Sequence, residues 1–171
     1  YWQDVGPLPA YFEANMALLD AKPALDLYER DWLILTRSEE RAPARIGADA
    51  RVERSMISHG CVVEGIVERS LLSPGVRVGR GAVVRDSIVM FDAVIEPGAV
   101  IDHAIVDKEV RIGRGAEIGV GEMPGAENRA NPEMLATGLV VIGKQAEVPD
   151  GARLGRNDLV RSEVHTSELQ S

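Results

Sequence analysis

The sequence predicts an all-β fold, a parallel β-helix in which each turn of the coil is made of three short strands. Three observations carry this. Related segments recur along the chain as Val52-Glu-Arg-Ser-Met-Ile57, Val67-Glu-Arg-Ser-Leu-Leu72, Val84-Arg-Asp-Ser-Ile-Val89 and Ile101-Asp-His-Ala-Ile-Val106, with starts 15, 17 and 17 residues apart. Within the repeat, aliphatic residues at Leu72, Val78, Val84, Val89, Ile95, Ile101, Val106, Ile112 and Ile118 keep steps of 6, 6, 5, 6, 6, 5, 6 and 6. Glycine occurs 17 times against two Trp, three Tyr and two Phe, a mix that favours thin, repetitive β structure over a thick core.

A beat of six fits neither an α-helix, which needs apolar steps of three and four, nor a two-sided sheet, which needs sustained alternation. It fits a hexad with an inward aliphatic residue and a second, small inward residue four positions on. Ile46-Gly-Ala-Asp-Ala, Val78-Gly-Arg-Gly-Ala, Ile95-Glu-Pro-Gly-Ala and Ile112-Gly-Arg-Gly-Ala follow this pattern. The glycines fall where corners need positive φ or close chain approach. Three such faces close a triangular coil, and stacked coils bury the aliphatic rungs while hydrogen-bonding backbone to backbone. A β-sandwich with glycine turns does not keep a 17-residue register.

The solenoid is expected over roughly 45–159. The beat fails from Gly119 to Gly138, where turn formers and charges predict a surface excursion, and it returns at Ile142-Gly-Lys-Gln-Ala, Val148-Pro-Asp-Gly-Ala and Leu154-Gly-Arg-Asn. Ahead of the solenoid, Leu8, Tyr11, Phe12, Met16, Leu18 and Leu19 fall at helical spacing after Pro7 and Pro9, and Lys22-Pro23 ends that run. Trp32-Leu-Ile-Leu-Thr36 reads as an extended segment inside a linker, 23–44, that docks through its larger apolar side chains. The stretch 160–171 follows no hexad and no helical stripe. It resembles the translated adapter runs found at the ends of assembled gene fragments, with a native flexible tail as the other reading.

Composition narrows the function classes. A formal charge of −8 and a pI near 4.9 leave no basic surplus to neutralise nucleic-acid phosphates or to hold an anionic membrane. No apolar run approaches the length that crosses a bilayer. Cys61 stands alone, so no internal disulfide can form, and no signal peptide opens the chain, which together point to a reducing cytoplasm. Tyr1 is not a natural start, so the expectation is a piece of a longer protein.

The opening carries the strongest chemical signal. Tyr1-Trp2-Gln3-Asp4-Val5-Gly6, followed by Ala10-Tyr11-Phe12-Glu13-Ala14-Asn15, resembles the Tyr-Trp-x-Asp-Val-Gly-Thr and Tyr-x-x-Ala-Asn stretch that closes the catalytic domain of glucose-1-phosphate adenylyltransferases. Asn15-Met-Ala-Leu-Leu19, Ala104-Ile-Val-Asp-Lys108, Asn128-Arg-Ala-Asn-Pro-Glu133 and Thr137-Gly-Leu-Val-Val-Ile-Gly-Lys144 extend the resemblance to about residue 159. It implies a left-handed β-helix, preceded by a short helix and linker left over from an α/β nucleotidyltransferase domain whose C-terminal end is residues 1–22. It implies the parent reaction, ATP plus glucose 1-phosphate giving ADP-glucose and pyrophosphate. It also implies a homo-oligomer. The family carries Mg²⁺ on an aspartate matched by Asp4, together with an aspartate far upstream, and sets a tryptophan matched by Trp2 beside the sugar phosphate. A hard oxygen ligand suits Mg²⁺ in phosphoryl chemistry. Taken alone, an Asp before a Gly reads as a turn residue. Pro7 stands where the family has threonine, and the glycine-rich nucleotide loop lies outside the chain, so this piece alone is expected to be inactive.

Lysine is scarce, with Lys22, Lys108 and Lys144 against sixteen arginines. In the resemblance, Lys108 and Lys144 match lysines that some members use to hold a phosphorylated sugar activator; two solvated lysines are the alternative. The excursion takes up much of the sequence between them, so they are expected about one coil apart. Another nucleotide-sugar pyrophosphorylase shares the opening and the β-helix. Hexad acyltransferases use a histidine between subunits, for which His59 and His103 are the candidates, although a lone histidine in a coil is more often a corner residue. Cys61, among apolar neighbours, reads as a small buried hydrophobe.

Overall fold

The structure, a computed structural model, describes residues 2, 4–31, 40–121, 128 and 135–161. The Trp32–Thr36 segment, most of the 119–138 excursion and the tail from 162 onward lie outside the described residues. Among those described, eighteen short strands form three parallel sheets of six, each sheet taking every third strand in chain order. This is the expected parallel β-helix, with one helix ahead of it.

Each face is in register from coil to coil. On the first face, Ile46, Val63, Val78, Ile95, Ile112 and Val148 stack. On the second face the rung is Val52, Val67, Val84, Ile101, Ile118 and Leu154. The third carries Ile57, Leu72, Val89, Val106, Ile142 and Val160. Together with small residues such as Ala82, Ala99 and Ala116 these side chains form one continuous core, most of it under 2% exposed. Burying each large aliphatic side chain contributes about 1.5–3 kcal/mol.

The corners differ from the glycine rule read in the sequence. Gly81, Gly98, Gly115 and Gly151 take positive φ between the first and second faces, as expected. Between the second and third faces, however, Arg54, Arg69, Asp86 and His103 adopt φ of 42° to 54°. Such a conformation costs a non-glycine residue about 1–3 kcal/mol and persists only where its surroundings hold it. A ladder of serines holds it here. The Ser55, Ser70 and Ser87 hydroxyls each donate to the carbonyl two residues earlier, at 2.7, 2.8 and 2.5 Å. Each accepts the amide of the next coil, from Ser70, Ser87 and Ala104, at 3.0, 3.1 and 3.1 Å. Ser70 and Ser87 are fully buried and satisfied, as burial of a hydroxyl demands. The 15-residue coil is shortened at the Glu64–Gly65 corner, where a Cβ on Gly65 would lie 2.3 Å from the Ala82 carbonyl oxygen.

The helix, Leu8–Met16, begins after Pro7 and runs on as a 3₁₀ turn, Ala17–Leu19. It lies on the outside of the third face. Phe12 and Met16 are buried there against Ile88, Ile105 and Leu139, with Leu71, Met90 and Val141 around them. The outward row of that face explains the choice. Met56, Leu71, Ile88, Ile105, Val141 and Leu159 are all apolar, so the face is hydrophobic on both sides. Before the first coil, Arg41 reaches across the corner to pair both guanidinium nitrogens with Asp92.

Candidate functional site

The elements that matter meet where the helix crosses the third face. The main-chain amide of Gly6 donates to Oδ1 of Asp4 at 3.0 Å, so Asp4 sits in a short side-chain turn, exposed, just ahead of the helix. Trp2 is 85% exposed. The structure therefore sets these two side chains on an open surface in front of the docked helix. Among the described residues no group of three or more His, Cys, Asp or Glu side chains could enclose a metal ion. The second carboxylate oxygen of Asp4 lies outside that turn bond, a hard oxygen of the kind that Mg²⁺ takes.

Lys108 and Lys144 are brought together. The main-chain amide of Gln145 donates to the Lys108 carbonyl at 2.9 Å, and the main-chain amide of Asp107 to the Ile142 carbonyl at 2.9 Å, so the two lysines hold equivalent places on successive coils. Both are exposed. The Lys108 ammonium lies 5.8 Å from the ring centroid of Phe91, within cation–π range, and its amide is held by Asp107 Oδ1 at 2.7 Å. Lys108 also edges a groove of about 430 Å³ between the helix and the third face, lined in part by Tyr11, Asn15, Ser58 and Ser73. Burial, then the charge of Asp107, raises the Tyr11 phenol above its ordinary range, against a smaller lowering by Asn15, so it stays a neutral donor. Phe91 gave no signal in the sequence. The apolar outward row that seats the helix was readable once strand direction was assigned.

His59 and His103 both stand at corners of the solenoid. Nε2 of His59 is sealed from solvent without a hydrogen-bond partner. His103 packs edge-on against Phe12, ring centroids 4.8 Å apart and planes at 70°. Burial pushes its imidazole below the usual range, helped by Arg156 and opposed by Asp102, Asp86 and a backbone contact with Thr137. Cys61 is 1% exposed, its thiol donating to the Ser73 carbonyl at 3.2 Å, and burial raises its pKa. It is the small buried hydrophobe that its neighbours implied. Asn157, unremarked in the sequence, pins the excursion: its Oδ1 accepts the Gly138 amide at 2.6 Å and its carbonyl accepts from Asn128 Nδ2 at 3.0 Å.

Residues 42–142, more than half of the chain, match the family described as GlmU-like, C-terminal hexapeptide. The chain belongs to that family. This hexapeptide chain is also similar to the glucose-1-phosphate adenylyltransferase of Thermomicrobium roseum, 55% identical over 170 residues, which takes in 99% of the chain and 40% of the relative. The protein of the same name from Acetivibrio thermocellus is 36% identical over 171 residues, again 100% of the chain and 40% of the relative. That of Bacillus cereus is 45% identical over 118 residues, 69% of the chain and 31% of the relative. The hexapeptide chain thus spans about 40% of the length of the first two curated relatives. No helix among its described residues is long and apolar enough to cross a membrane.

Proposed function

We propose that the chain is the C-terminal β-helix of a cytoplasmic glucose-1-phosphate adenylyltransferase, which joins ATP and α-D-glucose 1-phosphate to give ADP-glucose and pyrophosphate for glycogen-type glucans. What supports this reading most is that likeness to relatives of that name runs along 99% of the chain, beyond the hexads that unrelated enzymes share. Each relative reported above carries the adenylyl name, which favours adenine over the base of another nucleotide-sugar pyrophosphorylase. In the parent enzyme Asp4 supplies one carboxylate oxygen to Mg²⁺, and Trp2 offers an open aromatic surface for the sugar phosphate. The ion would neutralise charge building on the phosphates during in-line attack on the α-phosphorus. The helix behind Asp4 is clamped on the third face by Phe12 and Met16, so the β-helix fixes where that carboxylate stands.

Regulation is assigned to the paired lysines. Lys108 and Lys144 present two ammonium groups from one corner, beside the groove that the helix roofs, and a phosphorylated sugar is the matching ligand. An activator held there acts only if one seating of the helix binds it more tightly than another. The decisive experiment takes the full reading frame. The 171-residue chain alone should release no pyrophosphate from ATP and glucose 1-phosphate, whereas the parent should form ADP-glucose. Asp4→Asn in the parent should lower turnover by about a hundredfold or more with unchanged melting. Lys108→Ala/Lys144→Ala should raise the activator concentration needed and spare basal turnover. A parent that uses another nucleotide, or an Asp4→Asn enzyme of normal rate, overturns the reading.

A further inference from the structure

Along the corner between the third and first faces, successive coils stack Gly60, Gly75, Asp92, Glu109 and Gln145. All five take positive φ, from 56° to 81°. Asp92, Glu109 and Gln145 hold this conformation with a side chain in place, so backbone geometry alone does not account for glycine at 60 and 75. Arg41 does. A Cβ on Gly60 would lie 2.9 Å from its Cδ, and a Cβ on Gly75 would lie 2.0 Å from its Nη1. The two glycines leave a track along the corner, and the Arg41 side chain runs down it to Asp92. There Nη2 donates to Oδ2 at 2.9 Å and Nη1 donates to Oδ1. The first place where this corner carries a side chain is the place that receives the guanidinium.

What the pair holds is the end of the stack. Among the described residues no strand pairs with the far side of Arg45–Ile46, and Ile46 is 46% exposed. The Gly60 amide donates to the Ala42 carbonyl at 2.6 Å and the Arg45 amide to the Cys61 carbonyl at 2.9 Å, which sets Ala44 over Cys61. Backbone bonds at a terminal coil open at low cost, because neighbours support them from one side only. Arg41 adds a tie that reaches past two corners to a third. We infer that Arg41 and Asp92 form a latch that holds the last residues of the linker down on the open end of the solenoid, with Gly60 and Gly75 as its track. Hydrogen bonds from Arg41 hold the Asp92 carboxyl below the usual carboxylate range, against the opposing effect of burial, so both partners are charged at neutral pH. A two-pronged pair of this kind is among the stronger polar contacts, tempered here by side chains 23% and 45% exposed. The N-terminal segment is then fixed at two places, the helix on the third face and the linker at this corner.

Cys61, the single cysteine of the chain, is 1% exposed beneath this cap and reports its lifting. In the 171-residue chain, Arg41→Gln and Asp92→Asn should each speed alkylation of Cys61 by iodoacetamide, and hydrogen exchange of the Gly60 amide, about fivefold. Asparagine keeps the shape of aspartate and tolerates the positive φ. Both changes cut one contact, so the double variant should be no faster than either single. Arg41→Lys keeps the charge without the fork and should fall between the parent and Arg41→Gln. Gly75→Asn tests the track free of backbone strain. It should open the cap as Arg41→Gln does and add nothing in an Arg41→Gln chain. Gly81→Asn, at a corner where a Cβ meets no atom within 4 Å, should leave Cys61 protected. In every chain the Gly60 amide should exchange well ahead of the Val100 amide of the central coils, because the cap lifts without unfolding the solenoid. Parental alkylation rates in Arg41→Gln and Asp92→Asn overturn the proposal, as does a double variant in which the two effects multiply. Gly60 and Val100 amides that exchange together overturn it too, and a Gly75→Asn chain as protected as the parent removes the track.

Discussion

The first and third faces of the solenoid are each built on an inward aliphatic rung and contrast in what points outward. On the first face the outward rows are arginine, glutamate, valine and glycine. On the third they are Leu71, Ile88, Ile105 and Val141, and a helix lies on them. The inward residues decide that a coil forms, and the outward ones decide what each side of the coil touches. Stability of the solenoid and attachment of the helix are thus written in separate, interleaved positions of the same strands.

Substitutions can pull these two layers apart. The largest effect is expected at the rung itself. Ile112 is fully buried, so Ile112→Asp strands a charge in the apolar interior and should abolish cooperative thermal unfolding of a domain whose total stability is about 5–15 kcal/mol. A melting curve matching the parent would show that the rung is misassigned. Next, Ile105→Ala should cost about 2–5 kcal/mol, and the loss should fall on helix docking. Limited proteolysis should then release the segment ahead of residue 40 while the coils stay resistant. The matched change on the bare face, Val94→Ala, should stay within about 0.5 kcal/mol, and an equal loss at both sites would erase the distinction between the faces.

A fourth substitution probes the corner between the second and third faces. Ser70→Ala removes a buried hydroxyl that bonds Glu68 and Ser87, leaving the Ser87 amide without its partner while the Glu68 carbonyl keeps the Asp86 amide. About 1–3 kcal/mol should be lost by chemical denaturation. The smallest effect is a pH dependence at the helix seat. His103 titrates below its ordinary value of 6.5 when folded, so the unfolded chain takes up the proton first as pH falls. The contribution is complete above about 6.5 and shrinks below it. The mid-point of unfolding should fall between pH 7 and 5 more in the parent than in His103→Asn, a substitution that tolerates the positive φ of this corner. Parallel pH profiles would remove His103 from the account.

The coil was legible because its signal is periodic: residues at Leu72, Val78 and Val84 announce three faces before any coordinate is known. What escaped the sequence is what depends on side chains meeting across coils. Asn157 and Gly138 are 19 residues apart and meet only because the excursion closes there. Phe91 reaches Lys108 because a whole coil returns the chain to the same corner. The adjacency of Lys108 and Lys144 was readable by removing the excursion from the count. The helix was readable from its spacing, but its seat required knowing which strand positions face outward.

The serine ladder gives the solenoid a direction. Ser55 already holds its acceptor lone pairs in place when the amide of Ser70 arrives, Ser70 does the same for Ser87, and Ser87 for Ala104. Each station is prepared by residues that precede it in the chain, and none waits for a residue that follows. During synthesis, with the N-terminus emerging first, a finished coil can therefore serve as the template on which the next one closes. The strained corner of each new coil is met at once by the hydroxyl that compensates it.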